Sequence, residues 1–354
     1  MNRIIKDDIK VVLKKLDYSR LKNKTVLITG ATGMLPSYMV YTLLYLNKYY
    51  DYNTKIVLAI RNVDKAKKIF GNDILNNRNV LIRSIDFSQQ IQIDEPADFI
   101  IHAASLASSH LYMTNPVETI LPNVIGTHAL LEKAKKDSTE SFLFFSSGAV
   151  YGKIENKNVI KETDSGFLDP TDVRSCYAES KRLAENLCVA YSCEYGINTQ
   201  MIRLQHTYGP TMDLQDSRVF AEFVRNIVNN QNIEMKSDGS AKRTFCYISD
   251  ALDAFWRVMF LGESGQAYNI CNNNCFYSIS ELADILVSLF PEKKLKVIRT
   301  QRSKTDTYAE DKNANIVMFD DTKLRTLGWM PHVTVQKGFR RTIQSFLEEC
   351  QNED

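Results

Sequence analysis

The sequence places a tyrosine, Tyr177, and a lysine, Lys181, four residues apart in a segment whose pattern predicts a helix over residues 174–193. Positions i and i+4 of a helix lie on one face, so a phenol and an ammonium group at this spacing can act together on one bound molecule. Such a pair can exchange a proton with a hydroxyl group. The same spacing also occurs on structural helices, where the tyrosine is half-buried and the lysine is solvated. The elements around the pair must decide between the two interpretations.

A glycine turn near the start of the chain predicts a phosphate-binding site. The β-rich run at residues 25–29 leads into Gly30-Ala31-Thr32-Gly33 and then into a helical run at 38–46. Gly30 permits a tight turn, Gly33 lets the backbone approach a pyrophosphate, and the helix N-terminus offers N–H groups to an anion. The third fingerprint position holds Pro36, which the first turn of a helix tolerates. We therefore predict a dinucleotide site that includes Gly30, Thr32, Gly33, Met34 and Leu35.

The residue that follows the second predicted strand, 55–60, is Arg61. Asp51 lies about 20 residues beyond the glycines, at the spacing of a ribose-binding acid, but it precedes the strand and so lies at its wrong end. Arg61 suits a 2′-phosphate and cannot accept a hydrogen bond from a 2′-hydroxyl. The predicted cofactor is NAD(P), with NADP favoured over NAD. The alternative is that Arg61 is an ordinary exposed arginine of a loop.

Strands and helices alternate through the first 204 residues. Further apolar strands are predicted at 80–84, 99–102, 141–145 and 199–204. Continuous apolar strands that alternate with helices indicate an α/β fold with a doubly wound parallel sheet of the Rossmann type, in which ligands bind at the carboxyl ends of the strands. Asp86, which could meet an adenine amino group, and the small residues Ala103, Ala104 and Ser105 lie at such ends and are further cofactor candidates.

After residue 205 the regular alternation stops. We predict a loop at 206–210, a helix at 218–229, a strand from residue 242 that opens a helix, a strand at 268–270, a helix begun by the capping box Ser278 and Glu281, and a last helix at 334–349. The predicted domains are an N-terminal amphipathic helix extension (1–22), a dinucleotide-binding Rossmann domain (23–205 with 243–272) and a smaller interleaved α/β substrate domain (206–242 with 273–354).

Composition narrows the class of partner. Lys plus Arg (44) nearly equals Asp plus Glu (42), so no bulk charge favours nucleic acid or an anionic membrane. No run of 18 apolar residues and no apolar signal-peptide core is present, which predicts a cytoplasmic protein without a membrane partner. The odd number of scattered cysteines indicates reduced thiols. Cys271 and Cys275 have no second Cys or His pair nearby, so no metal site is predicted.

Several segments together resemble the extended short-chain dehydrogenase/reductase family, in the branch that acts on nucleotide-activated sugars. The resemblance covers roughly residues 22–350. It rests on Thr29-Gly30-Ala31-Thr32-Gly33, His102-Ala103-Ala104, Asn123 with Gly126-Thr127, Ser146-Ser147, the Tyr177 and Lys181 pair, and the segments 203–210 and 243–250. The segments 115–120 and 243–247 look most like those of UDP-glucuronate decarboxylases and sugar-nucleotide 4,6-dehydratases.

The resemblance implies a role for each of these residues. Tyr177 would exchange a proton with a substrate hydroxyl while a hydride passes to or from nicotinamide, Lys181 would lower the pKa of the phenol and hold the ribose, and Ser147 would bond the same substrate oxygen. Asn123 would contact the cofactor. The substrate, a nucleotide-activated sugar, would be bound by Ser147, His206, Thr207, Arg218, Val219 and Arg243, with the arginines on its diphosphate. A homodimer is usual in the resembling family and is expected here.

One departure from the resembling family bears on the reaction. In the dehydratases and the decarboxylase an acidic residue follows the catalytic Ser or Thr within about two positions, whereas this chain has Gly148 and Ala149. A missing acid or base forgoes an effect of about 10² to 10⁴ in rate. We therefore expect an epimerase or 4-ketoreductase of activated-sugar or surface-polysaccharide biosynthesis. The alternatives are a 4,6-dehydratase or UDP-glucuronate decarboxylase and, in another class, a non-catalytic dinucleotide-sensing protein, although such proteins commonly lose the Tyr or the Lys.

Overall fold

The computed structural model describes residues 1–89, 91–107, 109–300 and 318–353. The strands are β1 (Thr25–Thr29), β2 (Lys55–Ile60), β3 (Val80–Ser84), β4 (Phe99–His102), β5 (Ser141–Phe145), β6 (Val159–Ile160), β7 (Thr199–Leu204), β8 (His206–Tyr208), β9 (Ile233–Met235), β10 (Lys242–Tyr247), β11 (Gln266–Ile270), β12 (Phe276–Ser278), β13 (Val297–Arg299) and β14 (Met318–Phe319). The helices are α1 (Arg3–Leu13), α2 (Met34–Tyr50), α3 (Val63–Phe70), α4 (Ser109–Thr114), α5 (Pro116–Asp137), α6 (Cys176–Tyr195), α7 (Val219–Val228), α8 (Ile248–Leu261), α9 (Ile279–Ser288), α10 (Thr322–Arg325) and α11 (Val335–Glu353).

Seven parallel strands form the central sheet, in the order β11-β7-β5-β4-β1-β2-β3. Alternate residues of a strand point to opposite faces, and in β1 Val26 and Ile28 belong to one hydrophobic core while Leu27 belongs to the other. Because both faces are covered, the strands are continuous apolar runs. This arrangement confirms the predicted doubly wound parallel sheet. The strand order reverses between β1 and β4, the place where open α/β sheets bind ligands.

Three small sheets lie outside the central one, in the orders β12-β10-β8, β13-β9 and β14-β6. The predicted loop at 206–210 is wrong for its first half, because β8 pairs in parallel with β10, with His206 opposite Phe245. Three residues are too few for an alternation of apolar and polar side chains to show, and the strand exists because β10 lies beside it. The capping box of α9 is present as predicted. The division into domains stays a prediction.

The N-terminal helix α1 packs on its own chain, against α2, α8 and α11. Its carboxylate Asp8 is buried and accepts hydrogen bonds from Tyr247 (2.7 Å), Tyr38 (3.3 Å) and the Arg341 guanidinium (2.6 Å). Burial raises the pKa of Asp8, and the charge of Arg341 acts in the opposite direction. Tyr38 belongs to α2 and Arg341 to α11, so this buried group joins three helices.

The described cysteines are free thiols. Cys271 donates to the carbonyl of Phe319 (3.2 Å) and Cys275 to that of Val333 (3.5 Å), while the side chain of Cys350 lies outside the described residues. Over the described ranges, no group of three or more His, Cys, Asp or Glu side chains is arranged to hold a metal ion. Among the same residues, no helix has the length and apolar character that a membrane crossing requires.

The Asp8→Asn substitution should destabilise the protein by about 3 kcal/mol, because it leaves the Arg341 charge partly buried without its partner. Urea unfolding followed by circular dichroism would measure the loss. Asp7→Asn is the matched control, since Asp7 lies on the same helix in exposed ion pairs whose loss costs less than about 1 kcal/mol. Equal losses in the two variants would contradict a special contribution from the buried pair.

Candidate active site

Gly30 is required at its position for two reasons. Its φ of +62° lies in the left-handed region, and a Cβ added there would lie 2.8 Å from Ala104 Cα and 2.9 Å from the Ala103 carbonyl. The N–H of Gly33 donates to the Gly30 carbonyl (2.8 Å), and α2 begins at the next residue, with Pro36 buried in its first turn. The turn thus presents backbone and a helix N-terminus to the carboxyl edge of the sheet, as the glycine pattern predicts.

The hydroxyl of Thr29 holds this edge together. Its Oγ1 accepts hydrogen bonds from the N–H groups of Ala103 (3.1 Å) and Ala104 (3.0 Å), so its own proton donates to Nδ1 of His102 (2.8 Å). The imidazole is fully buried, and burial lowers the pKa of His102 to about 3. The sequence prediction missed this hydrogen-bonded pair. Thr29 and His102 are each the last, polar residue of an apolar strand, which is the pattern that could have predicted it.

A cleft of about 1520 Å³ opens at this edge. The predicted cofactor residues that line it are Gly30, Thr32, Gly33, Met34, Arg61, Asp86, Ala103, Ala104 and Ser105. Leu35 is half-buried and packs against the hydrophobic core. Across the cleft, Pro210, Thr211 and Arg218 come from the segment that follows β8, and Thr211 Oγ1 donates to the Met34 carbonyl (3.1 Å). The cleft therefore lies between the glycine turn and the second half of the chain.

One end of the cleft is basic. Arg61 is exposed there, and Lys65 and Lys68 of α3 line the same region. Asp86 lies nearby, where the N–H and hydroxyl of Ser88 lower the pKa of its carboxylate and Arg61 adds to the effect. The sequence prediction found Arg61 and Asp86 at strand ends but missed the two lysines, which belong to a helix with an ordinary amphipathic pattern.

Lys181 is almost fully buried on α6. Its Nζ donates to the Phe145 carbonyl at the end of β5 (2.7 Å) and lies 4.6 Å from the centroid of the Phe144 ring and 5.9 Å from that of Tyr177. Burial lowers the pKa of Lys181 to about 7, and the carboxylate of Glu185 opposes that change. The catalytic candidate is therefore a desolvated ammonium group fixed by a backbone oxygen.

Tyr177 is buried beside it, and Ser147 lies within reach of the phenol. Burial raises the pKa of Tyr177, while the Ser147 hydroxyl and then the charge of Arg218 lower it. Ser147 also accepts a hydrogen bond from the N–H of Ala149 (3.1 Å). The structure thus brings the three predicted catalytic side chains together. Burial has the largest effect, so the pKa of the phenol is raised on balance, and the lowering of that pKa by Lys181 stays a prediction.

Tyr112 of α4 covers the ring of Tyr177. The two rings are stacked, with centroids 4.8 Å apart and planes inclined by 10°. The thiol of Cys176 donates to the Tyr112 carbonyl (3.6 Å) and holds α4 near the start of α6. Burial raises the pKa of Tyr112. Sequence reasoning missed this residue, because a six-residue helix shows no usable periodicity.

Asn123 is buried on α5 and contacts the catalytic helix. Its side-chain amide donates to Ser180 Oγ (3.0 Å) and to the Thr119 carbonyl (3.0 Å). Ser180 stands between Tyr177 and Lys181 on α6. Asn123 therefore holds the helix that carries the pair, and it does not line the cleft described above, where the resemblance implied a cofactor contact.

The predicted substrate residues lie in two groups. Arg218 lines the cleft and pairs with Asp216 (Nε–Oδ2 2.8 Å), and it flanks His206 together with Arg243. Burial, with the charges of these arginines, lowers the pKa of His206 to about 3. Within the described structure its buried Nδ1 has no hydrogen-bond partner. Two further residues point to the protein interior. Thr207 is buried and its hydroxyl donates to the Gln205 carbonyl (3.2 Å), while Val219 packs against the hydrophobic core.

Gly148 lies against an aromatic ring from the last part of the chain. A Cβ there would meet the Phe319 ring at 2.5 and 2.6 Å, and the same ring packs edge-on against Tyr151, with centroids 4.9 Å apart. Ala149, the next residue, is exposed. Packing therefore fixes glycine at position 148, while a larger side chain at position 149 has space.

Comparisons with known proteins agree with this architecture. The family model described as "NAD dependent epimerase/dehydratase family" matches residues 26–271. UDP-glucuronic acid decarboxylase 6 of Arabidopsis thaliana is 31% identical over 327 residues, which are 92% of this chain and 89% of the relative. Among solved structures, UDP-glucose 4-epimerase of Thermotoga maritima, with UDP-glucose, has a TM-score of 0.74 at 21% identity and covers 92% of this chain and 99% of its own. UDP-glucuronic acid 4-epimerase of Bacillus cereus, in complex with NAD, has a TM-score of 0.73 at 18% identity, with coverage of 92% and 99%.

The buried His102 predicts a loss of stability in acid. Its pKa of about 3 in the folded protein lies below the ordinary 6.5. Below pH 6.5 the unfolded chain binds a proton that the folded one does not, so the free energy of unfolding should fall by about 1.4 kcal/mol per pH unit from this residue as the pH drops toward 3. Urea unfolding at several pH values would measure the slope.

The His102→Gln variant should show a shallower pH dependence than the wild type, even though it starts from a lower stability. His128→Gln is the matched control, because that imidazole is exposed on α5 and should leave the slope as it is. A His102→Gln slope equal to that of the wild type would disprove the assignment.

Proposed function

The chain belongs to the NAD dependent epimerase/dehydratase family, and from that premise we propose that it is an NAD(P)-dependent nucleotide-sugar oxidoreductase that moves a hydride at one sugar carbon, as an epimerase or a 4-ketoreductase. The observation that carries the proposal is the convergence of Ser147, Tyr177 and Lys181 near Arg218, which lines the cleft. The two residues after Ser147, Gly148 and Ala149, have no proton-transferring group. The pathway would be activated-sugar or surface-polysaccharide biosynthesis in the cytoplasm.

The cofactor site is assigned to the glycine turn. Gly30 and Gly33 with the N-terminus of α2 would hold the pyrophosphate, and the close contact of Gly30 with Ala103 and Ala104 leaves no room for a side chain at position 30. A bound nicotinamide would supply or accept the hydride. The residues therefore fit a dinucleotide.

We assign the proton transfer to and from the substrate to Tyr177. Its hydroxyl would exchange a proton with the substrate hydroxyl, and Ser147 would orient the same oxygen. A charged Lys181 would favour the phenolate, because an adjacent cation stabilises the ionised form of the phenol. Burial favours the neutral phenol in this structure, while Ser147 and Arg218 act in the opposite direction, and the charge of Lys181 would add to their effect.

We assign binding of the substrate diphosphate to the arginines on the side of the cleft opposite the glycine turn. Arg218 lines the cleft with its guanidinium on Asp216, and Arg243 lies near His206. Guanidinium groups bind phosphate through paired hydrogen bonds. The free Nδ1 of His206 would add a polar contact, while Thr207 and Val219 would support these side chains from the interior.

A 4,6-dehydratase or decarboxylase is the second candidate. The identity of 31% to a UDP-glucuronic acid decarboxylase favours it. Against it stands the pair Gly148 and Ala149, where the resembling enzymes of those classes carry an acidic group. At position 148 the Phe319 ring leaves no space for such a group. We therefore rank hydride transfer at a single carbon first.

The cofactor preference is assigned to NADP. Arg61, Lys65 and Lys68 place three cations at one end of the cleft, where a 2′-phosphate would gain charge-assisted hydrogen bonds. Asp86 would accept a hydrogen bond from the adenine amino group. The Bacillus cereus structure described above contains NAD, so the preference depends on these cations alone.

A homodimer is proposed through α5 and α6. These helices pack against each other, and each carries exposed apolar side chains, Val117 and Ile125 on α5 and Leu183 and Val189 on α6. Exposed apolar groups on adjacent helices favour burial against a second copy. Sedimentation velocity of the purified protein would test this assembly.

The reaction is tested by incubating the purified enzyme with UDP-glucuronate, UDP-glucose or dTDP-glucose and each nicotinamide cofactor, with products identified by mass spectrometry and NMR. We expect an epimer, or the alcohol of an added 4-keto sugar with matched loss of NADPH. Tyr177→Phe should lower the rate by about 10² to 10⁴-fold. Tyr195→Phe, an exposed tyrosine on the same helix, should leave it unchanged. Release of carbon dioxide or formation of a 4-keto-6-deoxy sugar would establish the second candidate.

The cofactor preference is tested with Arg61→Ser. Hydrogen bonds to a charged group contribute about 1.5 to 3 kcal/mol, so the Kd of NADPH should rise by about tenfold or more, while that of NADH stays the same. Fluorescence titration of each reduced cofactor measures both constants. Arg78→Ser is the matched control, because Arg78 is an exposed arginine that precedes β3, at the opposite edge of the sheet. An equal loss of affinity for NADH and NADPH would rule out a 2′-phosphate contact.

A further inference from the structure

A buried carboxylate lies one helical turn after the catalytic lysine candidate. Lys181 and Glu185 occupy positions i and i+4 of α6, which share a face, and both are buried. An ammonium group in this position loses its hydration, and the Phe145 carbonyl replaces only part of it. A negative charge on the same buried face compensates for more of that loss.

Glu185 is itself held by Arg203 of β7. The guanidinium binds both carboxylate oxygens, with Nε–Oε1 at 3.0 Å and Nη2–Oε2 at 2.6 Å. Arg203 also donates to the Glu162 carbonyl (2.8 Å) and lies 4.7 Å from the centroid of the Tyr151 ring. This two-point contact fixes where the carboxylate stands, because a planar fork allows little rotation.

The other groups around Lys181 carry little charge at neutral pH. On α6 itself they are Tyr177 and the buried thiol of Cys188, whose pKa burial raises. From β5 the neighbours are the Phe145 carbonyl and the Phe144 ring, and from β4 the neighbour is His102, which is neutral as described above. Glu185 is the anion whose charge favours the protonated lysine, with Arg203 behind it.

We propose that Glu185 is a positioning residue whose negative charge keeps Lys181 protonated near neutral pH. The inference rests on the proposed function, in which a charged Lys181 favours the phenolate of Tyr177. It gives the charge of Glu185 an electrostatic role in addition to the contribution that its ion pair with Arg203 makes to packing.

The proton on Lys181 can be followed without a substrate. The full-length protein is labelled with lysine carrying ¹³C at Cε, and the Lys181 signal is identified as the one that Lys181→Met removes. Its midpoint is then measured by NMR titration. Glu185→Gln should lower the midpoint by about one pH unit or more, because an adjacent opposite charge shifts a pKa by this amount. Glu179→Gln, a more exposed carboxylate on the same helix, should leave it unchanged.

A second variant distinguishes the effect of the Glu185 charge from the effect of breaking its ion pair with Arg203. Arg203→Gln breaks the same ion pair but removes a positive charge, so the midpoint should stay or rise. A fall in both variants, or no fall in Glu185→Gln, would overturn the inference. If Glu185→Gln does not fold, a fall in Arg203→Gln alone overturns it, and a midpoint that stays or rises supports it. Absence of hydride transfer in the wild type would instead refute the proposed function, since the titration needs no turnover.

Discussion

The cleft depends on a contact between two pieces of backbone at the carboxyl edge of the sheet. The glycine turn after β1 touches the segment after β4 so closely that a single Cβ at Gly30 would overlap Ala103 and Ala104. The Thr29 hydroxyl fixes this contact, because it accepts from both of those N–H groups and donates to the buried His102. The segments after β1 and β4 meet because these strands are neighbours in the sheet, and the hydrogen bonds to Thr29 Oγ1 set the distance between them. The floor of the cleft is therefore made of small residues where these two segments meet, Gly30, Ala103 and Ala104.

The chemistry next to that floor depends on burial. Lys181 and Tyr177 both leave water when α6 packs on the sheet, and burial favours the neutral form of each. The chain offsets this cost with a strand-end carbonyl from β5 and with the Glu185 and Arg203 pair. Helix α6 is thus tied to β5 and to β7, two neighbouring strands of the sheet. Removing one partner of such a network leaves a buried charge uncompensated, which is why its members act as a unit.

The sequence was most informative where local pattern and function coincide. Apolar strands, the glycine turn and the residues at strand ends predicted the sheet and most of the lining that the first half of the chain gives to the cleft, because the period of the apolar residues and their position at strand ends determine both. Leu35 was predicted from the glycine turn and Asn123 from the resemblance, and the structure turns Leu35 to the core and Asn123 to Ser180. Tyr112 on Tyr177, β8 beside β10 and Arg203 on Glu185 arise from packing between segments that are distant in the chain. Such contacts leave no local signal in a single sequence.

Overall identity and local chemistry point to different reactions here, and their physical origins explain why. The similarity to a decarboxylase extends over 92% of the chain, and most of that length forms the fold, where packing restricts the choice of residue. The reaction is decided by a few side chains beside the substrate, which packing restricts far less. Position 148 is restricted by packing and also lies next to the proposed catalytic serine. A side chain there would collide with the Phe319 ring, so the packing of the last part of the chain goes together with the absence of an acidic group at this position. Position 149 is exposed, so packing does not exclude a larger side chain there, and alanine at that position is not explained by packing.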